Sequence, residues 1–587
     1  MREFSVPAMV ELSESANLTD TPFTRAAETP GQVVFRRRSG AEWSAVTAAE
    51  FREDVIGVAK GLIAAGVEPG ERVALMSRTR YEWTVLDYAI WAAGGVSVPI
   101  YETSSAEQVS WIVTDSGAKG VFAETPQHLA TVREVAGDAL VWDIEALGDL
   151  VAQGASLGDA VVEERRRSRL GADLATLVYT SGTTGRPKGC ELTHHNLVGT
   201  AQNAIRGALA EVTVDGGSTL LFLPLAHVFA RLVQVLCVES GMILGHSPDI
   251  SNILPDLGSF RPTFLLAVPR VFEKVYNGAE QKAIAGGKGK IFAAAAATAI
   301  AYSQSPSPAL GLKIRHAVFD RLVYGKLRAA VGGRVSYAVS GGAALGERLG
   351  HFFRGVGITI LEGYGLTETT APATVNRPSA IRIGTVGKPL PGVSIRIAED
   401  GEVLTKGVNV FTGYWRNETA TKEALDGGWF HTGDLGALDD DGYLKITGRK
   451  KEILVTAAGK NVAPAPLEDR VRANPLVSQC LVVGDGRKFI GALITLDAEA
   501  LEPWKKAHGK APAMTVAELR TDPDLVSEID SAVAAANTSV SHAESIKKYR
   551  ILDVDFTEAA GHMTPSLKVK RNVVAHDFAA EIETLYA

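Results

Sequence analysis

The sequence predicts an α/β protein with a large N-terminal domain of several subdomains, in which parallel sheets are flanked by helices and joined to a distorted β region. A small α+β domain follows. Three observations predict this. From about Arg72, short apolar runs alternate with longer amphipathic ones, the pattern of strand–helix–strand units on a largely parallel sheet. Beyond Glu368 the texture becomes Gly/Pro-punctuated alternation, as in Val386-Gly-Lys-Pro-Leu-Pro-Gly-Val-Ser-Ile-Arg-Ile397, which indicates distorted β structure. Past Gly448 it changes again, and the 587 residues exceed what one core usually supports, so the chain is divided into residues 1–450 and 451–587.

In chain order, Arg72-Val-Ala-Leu-Met-Ser77 reads as a strand, Tyr81 to Ala93 as a helix stopped by Gly94-Gly95, and Val96-Ser-Val-Pro-Ile100 as the next strand. Ser104-Ser105 with Glu107 and Gln108 caps a helix that runs to about Asp115, and Gly120-Val-Phe-Ala123 returns as a strand. Ser218 to Leu223, Thr263 to Val268 and Val335 to Val339 repeat the theme. In the last domain Pro464 to Arg472 reads as a helix and Cys480 to Ile494 as a hairpin around Gly484-Asp-Gly486, with polar helices beyond.

Composition excludes several classes. Hydrophobic residues are 46%, charged residues 22% and the formal net charge −7, so no nucleic-acid partner is expected. The three cysteines, Cys190, Cys237 and Cys480, lack metal-ligand spacing and fit a reducing compartment as inert thiols. Met1 to Glu11 carries no apolar h-region, and no run reaches the ~18 apolar residues of a membrane helix. The Ala-rich Ile291 to Tyr302, preceded by the basic Lys288-Gly-Lys290, reads as a packed or surface helix, with a membrane-surface anchor as the alternative.

Chemistry concentrates in a few segments. Leu177-Val-Tyr-Thr-Ser-Gly-Thr-Thr-Gly-Arg-Pro-Lys-Gly189 joins a buried strand to a loop of small and hydroxylated residues ending in Lys188, a set suited to phosphate oxygens. No G-x-x-x-x-G-K-[ST] pattern fits it, which disfavours ordinary P-loop hydrolase chemistry. Ser340-Gly-Gly-Ala-Ala-Leu345 again follows a strand and precedes a helix, at the sheet edge where ligands bind. Glu362-Gly-Tyr-Gly-Leu-Thr-Glu-Thr369 offers an aromatic face and Glu368, which is either a helix-start carboxylate or a ligand for Mg²⁺ beside phosphates. Trp429-Phe-His-Thr-Gly-Asp-Leu435 places Asp434 as a turn former or as an acceptor for two ribose hydroxyls. Gly448-Arg-Lys-Lys-Glu-Ile-Leu-Val455 is a basic junction between the two textures, and Lys568 lies in His562-Met-Thr-Pro-Ser-Leu-Lys-Val-Lys-Arg571 as a solubilising charge or a functional one.

Together and in this order, these segments resemble the adenylate-forming enzymes (acyl-CoA synthetases, luciferase and adenylation domains) from about Phe23 to Val574. Pro224-Leu-Ala-His-Val-Phe-Ala230 and Thr564 to Lys568 look most similar to bacterial, actinobacterial-like long-chain fatty-acid–CoA ligases. The resemblance implies that Thr180, Ser181, Gly182, Thr183, Thr184, Gly185 and Lys188 bind the β/γ phosphates of ATP, with Thr184 and Glu368 holding Mg²⁺. It places Gly341, Gly342 and Ala343 on one side of adenine, Glu362, Gly363, Tyr364 and Gly365 on the other, and Thr367 at the α-phosphate. Asp434 binds ribose, Arg449 contacts the nucleotide, Lys451 is the hinge of a mobile small domain, and Lys568 is the adenylation lysine. His227, Val228, Phe229 and Arg231 border the acyl pocket, with the segment from Val271 to Tyr302 as a further tunnel wall. The family pattern has Gly before the catalytic lysine, where this chain has Leu567.

The implied reaction activates a long-chain fatty acid as acyl-AMP, releases pyrophosphate, and transfers the acyl group to CoA as co-substrate. An acyl-AMP ligase serving a carrier protein is the alternative. Such relatives carry an insertion before the Thr-Gly-Asp segment, and no spare segment lies between Glu368 and Thr432. The implied setting is cytoplasmic, with transient peripheral contact at the inner face of the cell membrane, and the sequence fixes no oligomeric state.

Overall fold

The computed structural model describes residues 2–40, 42–180, 186–214, 216–249, 252–564 and 568–587. Its largest sheet has seven strands in the order Gly413–Tyr414, Lys188–Thr193, Leu174–Thr180, Val96–Ile100, Arg72–Met76, Ala118–Ala123 and Leu140–Asp143. The five strands from Leu174–Thr180 to Leu140–Asp143 run parallel, while Lys188–Thr193 turns back antiparallel on Leu174–Thr180. Crossover helices pack on this sheet because their sequences are apolar on more than one face. In Tyr81–Ala92, Trp83 and Trp91 are almost wholly buried, each worth about 2 kcal/mol relative to exposure.

The local signals behave as their chemistry requires. The helix Ala106–Ser116 begins with a reciprocal capping box, in which Ser105 accepts from the Gln108 backbone N–H and Gln108 accepts from that of Ser105, and it ends on left-handed Gly117. Ile291 to Tyr302 lies within the helix Gly289–Gln304, which buries Phe292, Ala295, Ala296, Thr298 and Ala299.

A second sheet holds three parallel strands, Phe264–Ala267, Tyr337–Ser340 and Thr359–Leu366, followed by antiparallel Ala371–Val375 and Lys388–Pro389. Ser340 pairs in register with Glu362, so the Ser340 to Leu345 segment leaves its strand beside the point where Gly363-Tyr-Gly365 continues into antiparallel pairing. The region beyond Glu368 supplies four strands of an antiparallel sheet, Val393–Ile397, Glu402–Gly407, Phe430–Leu438 and Leu444–Arg449, which Glu3–Val6 joins at one edge; the register shifts on both sides of Phe430–Leu438.

The main core reaches from Leu18 to Leu444, whereas two further cores use only residues from Val462 onward. In the latter region Val477–Val483 and Ile490–Leu496 form the hairpin, with Ile546–Ile551 added in parallel. Lys451 sits between these cores, in the 3₁₀ turn Lys450–Glu452. Salt bridges cross between them: Arg270 Nη2 to Asp497 Oδ2 at 2.7 Å and Lys274 Nζ to Glu499 Oε2 at 3.4 Å.

Candidate functional site

A cavity of about 2010 Å³ opens where the edge of the second sheet, the antiparallel sheet and the residues beyond 451 meet. Register and turn geometry bring its walls together. Thr180 ends its strand opposite Lys188, and both line the cavity. Lys188 Nζ lies 5.0 Å from the centroid of the Tyr414 ring, whose hydroxyl donates to Glu368 Oε1 at 2.8 Å. Glu368 stands in the 3₁₀ turn Thr367–Thr369, directly after the strand that ends the Gly-Tyr-Gly segment. The Ser181, Gly182, Thr183, Thr184 and Gly185 assignments lie outside the described residues, as does Leu567.

Gly341, Gly342 and Ala343 line the same cavity as Glu362, Gly363 and Tyr364, the two segments following paired positions on adjacent strands. A Cβ on Gly341 would meet the Phe229 ring at 3.3 Å and the Gly363 carbonyl oxygen at 3.5 Å, so a residue with a side chain here would crowd the Phe229 ring. Gly365 has a stricter requirement, because a Cβ there would lie 1.6 Å from the Ala371 carbonyl oxygen. Glu362 accepts from the Leu345 N–H, and burial pushes its carboxyl up to about 7.

Asp434 and Arg449 are register partners across two antiparallel strands, with Arg449 Nε 3.0 Å from Asp434 Oδ1. Tyr364 donates its hydroxyl to Asp434 Oδ2 at 2.7 Å. Each carboxylate oxygen keeps a second lone-pair direction, so this arrangement orients the group and still leaves acceptor capacity for a diol.

Lys568 lines the cavity, its N–H donating to Thr564 Oγ1 and its carbonyl accepting from the Thr564 N–H. Its side chain is open to the cavity interior yet surrounded by protein. Desolvation and the Arg449 charge hold its pKa below the ordinary lysine value, with Asp434 and Glu368 opposing. The His227 ring lies under the same influence: burial, then the Lys568 charge, lower it to about 4, which keeps it neutral. His227 also caps the helix Val228–Ser240, its Nδ1 accepting from the Phe229 N–H at 3.2 Å.

An apolar branch of the cavity runs between Leu209, Val212, Val228, Leu232, Val233 and Leu236. Two expectations about it are corrected. Arg231 does not border the cavity: its guanidinium is wholly buried, ion-paired with Asp87 through Nε at 2.9 Å, bonded to Ser97 Oγ at 2.8 Å, and placed between Trp83 and Trp91. On a helix with 3.6 residues per turn, the cavity-lining residues 228, 229, 232, 233 and 236 share one broad face, and residue 231 lies about 130° from its centre. Removing one partner of such a pair costs about 3–5 kcal/mol, so Arg231 belongs to the core. The segment from Val271 to Tyr302 contributes only Glu273 and Asn277 to the cavity lining, because Phe272, Tyr276 and Phe292 pack with Phe352 and Phe353. The sequence reading missed Tyr414 and the wall at Leu209 and Val212, which follows a π-helical turn, Ala204–Ala208, with no distinct sequence signal.

Glu368 provides a hard oxygen donor on the cavity wall beside Lys188 and Thr180, a donor type that suits Mg²⁺ accompanying phosphates.

Comparison with known proteins supplies the remaining observations. Residues 23–415 match the AMP-binding enzyme family and residues 451–587 the AMP-binding enzyme C-terminal domain. The chain is 54% identical over 601 residues to the long-chain-fatty-acid–CoA ligase FadD15 of Mycobacterium bovis, with both chains covered completely. It is 30% identical to the long-chain-fatty-acid–CoA ligase ACSBG2 of Xenopus laevis, covering 94% of this chain and 81% of that one. Among solved structures, ATP-bound MatB from Rhodopseudomonas palustris superposes with a TM-score of 0.69 at 25% identity, covering 96% of this chain and 99% of that chain.

Proposed function

The chain belongs to the AMP-binding enzyme family, and on that premise we propose that it activates a long-chain fatty acid with ATP and passes the acyl group to CoA. The observation that carries this reading is the convergence of Lys568, Glu368, Asp434 and Tyr364 on one cavity that also has an apolar branch. The full-length likeness to a mycobacterial long-chain-fatty-acid–CoA ligase supports the substrate class.

A carboxylate is a poor electrophile, because it is anionic and its leaving group would be oxide. Its oxygen attacks the α-phosphorus of ATP and pyrophosphate leaves. The CoA thiol then loses its proton and attacks the acyl carbon, and AMP leaves. Developing charge on phosphate oxygens calls for fixed cations and N–H donors rather than a covalent nucleophile. Lys568 supplies such a cation, and Lys188 another on the phosphate side. Asp434, held by Tyr364 and Arg449, orients ribose, while Gly341 and Tyr364 flank the base. Glu368, together with Thr184, would hold Mg²⁺, which would neutralise charge on the phosphates.

Neutral His227 beside the apolar branch adds no charge that would hold a fatty carboxylate away from phosphorus. Residues 451–587 act as the moving part, with Lys451 as the hinge, since thiol attack needs the space that Lys568 fills. The matching setting is a cytoplasmic enzyme in peripheral contact with the inner face of the cell membrane. Three free, buried cysteines suit the reducing interior, and no helix among the described residues is long and apolar enough to cross a membrane.

AMP release from a series of short to very long fatty acids, with and without CoA, tests the reading. CoA-dependent release that is greatest with long chains is expected. Adenylate formation that CoA does not turn over, with acyl transfer to a carrier protein instead, would reject it.

A further inference from the structure

The helix Leu310–Phe319, remote from the cavity lining, buries none of its side chains. Leu310, Ile314, Val318 and Leu322 recur at every fourth residue and are 74%, 57%, 51% and 54% exposed. The spacing puts them in one line that continues from the α-helix into the π-helical turn Asp320–Tyr324. Single exposed aliphatic residues are ordinary, but four in a ridge mark a surface that meets something apolar. The ridge extends further. Tyr324 Oη donates to the Ala295 carbonyl at 2.7 Å, which sets its end against the helix Gly289–Gln304, whose first turn carries exposed Ile291.

The charges around this ridge are predominantly positive. Exposed Lys313 and Arg321 interleave with the aliphatic residues, and exposed Lys288 and Lys290 precede Ile291. Asp320 is the only carboxylate between residues 310 and 330, and it is ion-paired with Arg328 Nη1 at 2.6 Å. This local excess opposes the −7 net charge of the chain. A second copy docking through the same face would set cations against cations. An anionic bilayer meets both features: aliphatic side chains enter the boundary of the acyl region, and long basic side chains extend to the head groups.

We propose that the ridge Leu310, Ile314, Val318 and Leu322, with Lys313 and Arg321, is the surface on which this chain lies against an anionic phospholipid bilayer. It rests on the peripheral-contact part of the proposed function and names the face that makes the contact. The helix lies in the plane of the interface and does not span it, since no helix among the described residues has the length and apolarity to cross.

Sedimentation of the full chain with phosphatidylcholine vesicles, with and without phosphatidylglycerol, tests the assignment. The unaltered chain is expected to pellet with the phosphatidylglycerol vesicles, less so at high salt, and hardly at all with neutral ones. The double variants Ile314→Ser/Val318→Ser and Lys313→Glu/Arg321→Glu are each expected to bind at least about tenfold more weakly. Their turnover of a short, soluble fatty acid without vesicles, and their melting temperature, should match the unaltered chain. Equal vesicle binding by the variants would remove this surface and leave peripheral contact in place. No binding by the unaltered chain would remove both. A dimer in sedimentation velocity that Ile314→Ser/Val318→Ser splits would assign the ridge to self-association instead.

Discussion

Arg270 Nη2 lies 2.7 Å from Asp497 Oδ2, joining the helix Pro269–Ala285 of the large region to the N-cap of the helix Ala498–Ala507 in the small one. Both side chains are mostly buried, so the pair is less screened than a surface one. It holds the small region where Lys568 faces Asp434 and Glu368. Arg270→Ala should therefore slow acyl-adenylate formation about fivefold, for a pair worth about 1 kcal/mol. Thioester formation from supplied acyl-AMP should be unchanged or faster. Equal slowing of both steps in single-turnover assays would contradict a positioning role. Asp497→Ala is the poorer probe, because Asp497 also accepts from the Glu499 and Ala500 N–H groups.

Lys451→Pro should leave adenylation largely intact and block CoA transfer, because proline fixes φ where a hinge must change it. Comparable rates for both half-reactions in this variant would reject Lys451 as the pivot.

Tyr364→Phe deletes the 2.7 Å bond to Asp434 and keeps the ring against the base. The KM for ATP should rise about fivefold, the equivalent of one hydrogen bond of about 1 kcal/mol, with the KM for fatty acid unaffected. A change confined to fatty-acid KM would show that this corner serves the acyl group.

Glu362 gives a pH signature in stability. Burial raises its carboxyl from 4.5 to about 7, so the folded chain retains a proton that the unfolded chain has lost. Its contribution is complete below about pH 4.5 and disappears as pH rises through about 7. Glu362→Gln lacks this loss. Its melting temperature relative to the unaltered chain should climb between those two pH values and level off above; a constant offset across that window would refute the raised pKa.

Much of this was legible in the sequence where the cause is local. Ser105 and Gln108 cap a helix through neighbours three residues apart, and the Ser340 and Glu362 segments come together because these two residues form the last parallel pair of adjacent strands. Long-range partners were not legible. Arg231 looked like a pocket residue beside His227, Val228 and Phe229, yet Asp87, 144 residues earlier, holds it in the core. Tyr414 stands on a two-residue strand with no motif of its own, and only pairing of Gly413 with Glu191 and Tyr414 with Cys190 carries it to Glu368 and Lys188. The apolar wall at Leu209 and Val212 arises from a π-helical turn that no periodicity announces.

The proposed adenylation depends most directly on Lys568, whose ammonium meets the cavity from the small region. The deciding measurement follows both half-reactions in Lys568→Ala: fatty-acid-dependent ATP–pyrophosphate exchange, and thioester formation from supplied acyl-AMP and CoA. Loss of a charge donor worth about 3 kcal/mol should lower the exchange by at least about a hundredfold while thioester formation proceeds at the unaltered rate. Equal loss of both, or exchange that survives, would contradict it.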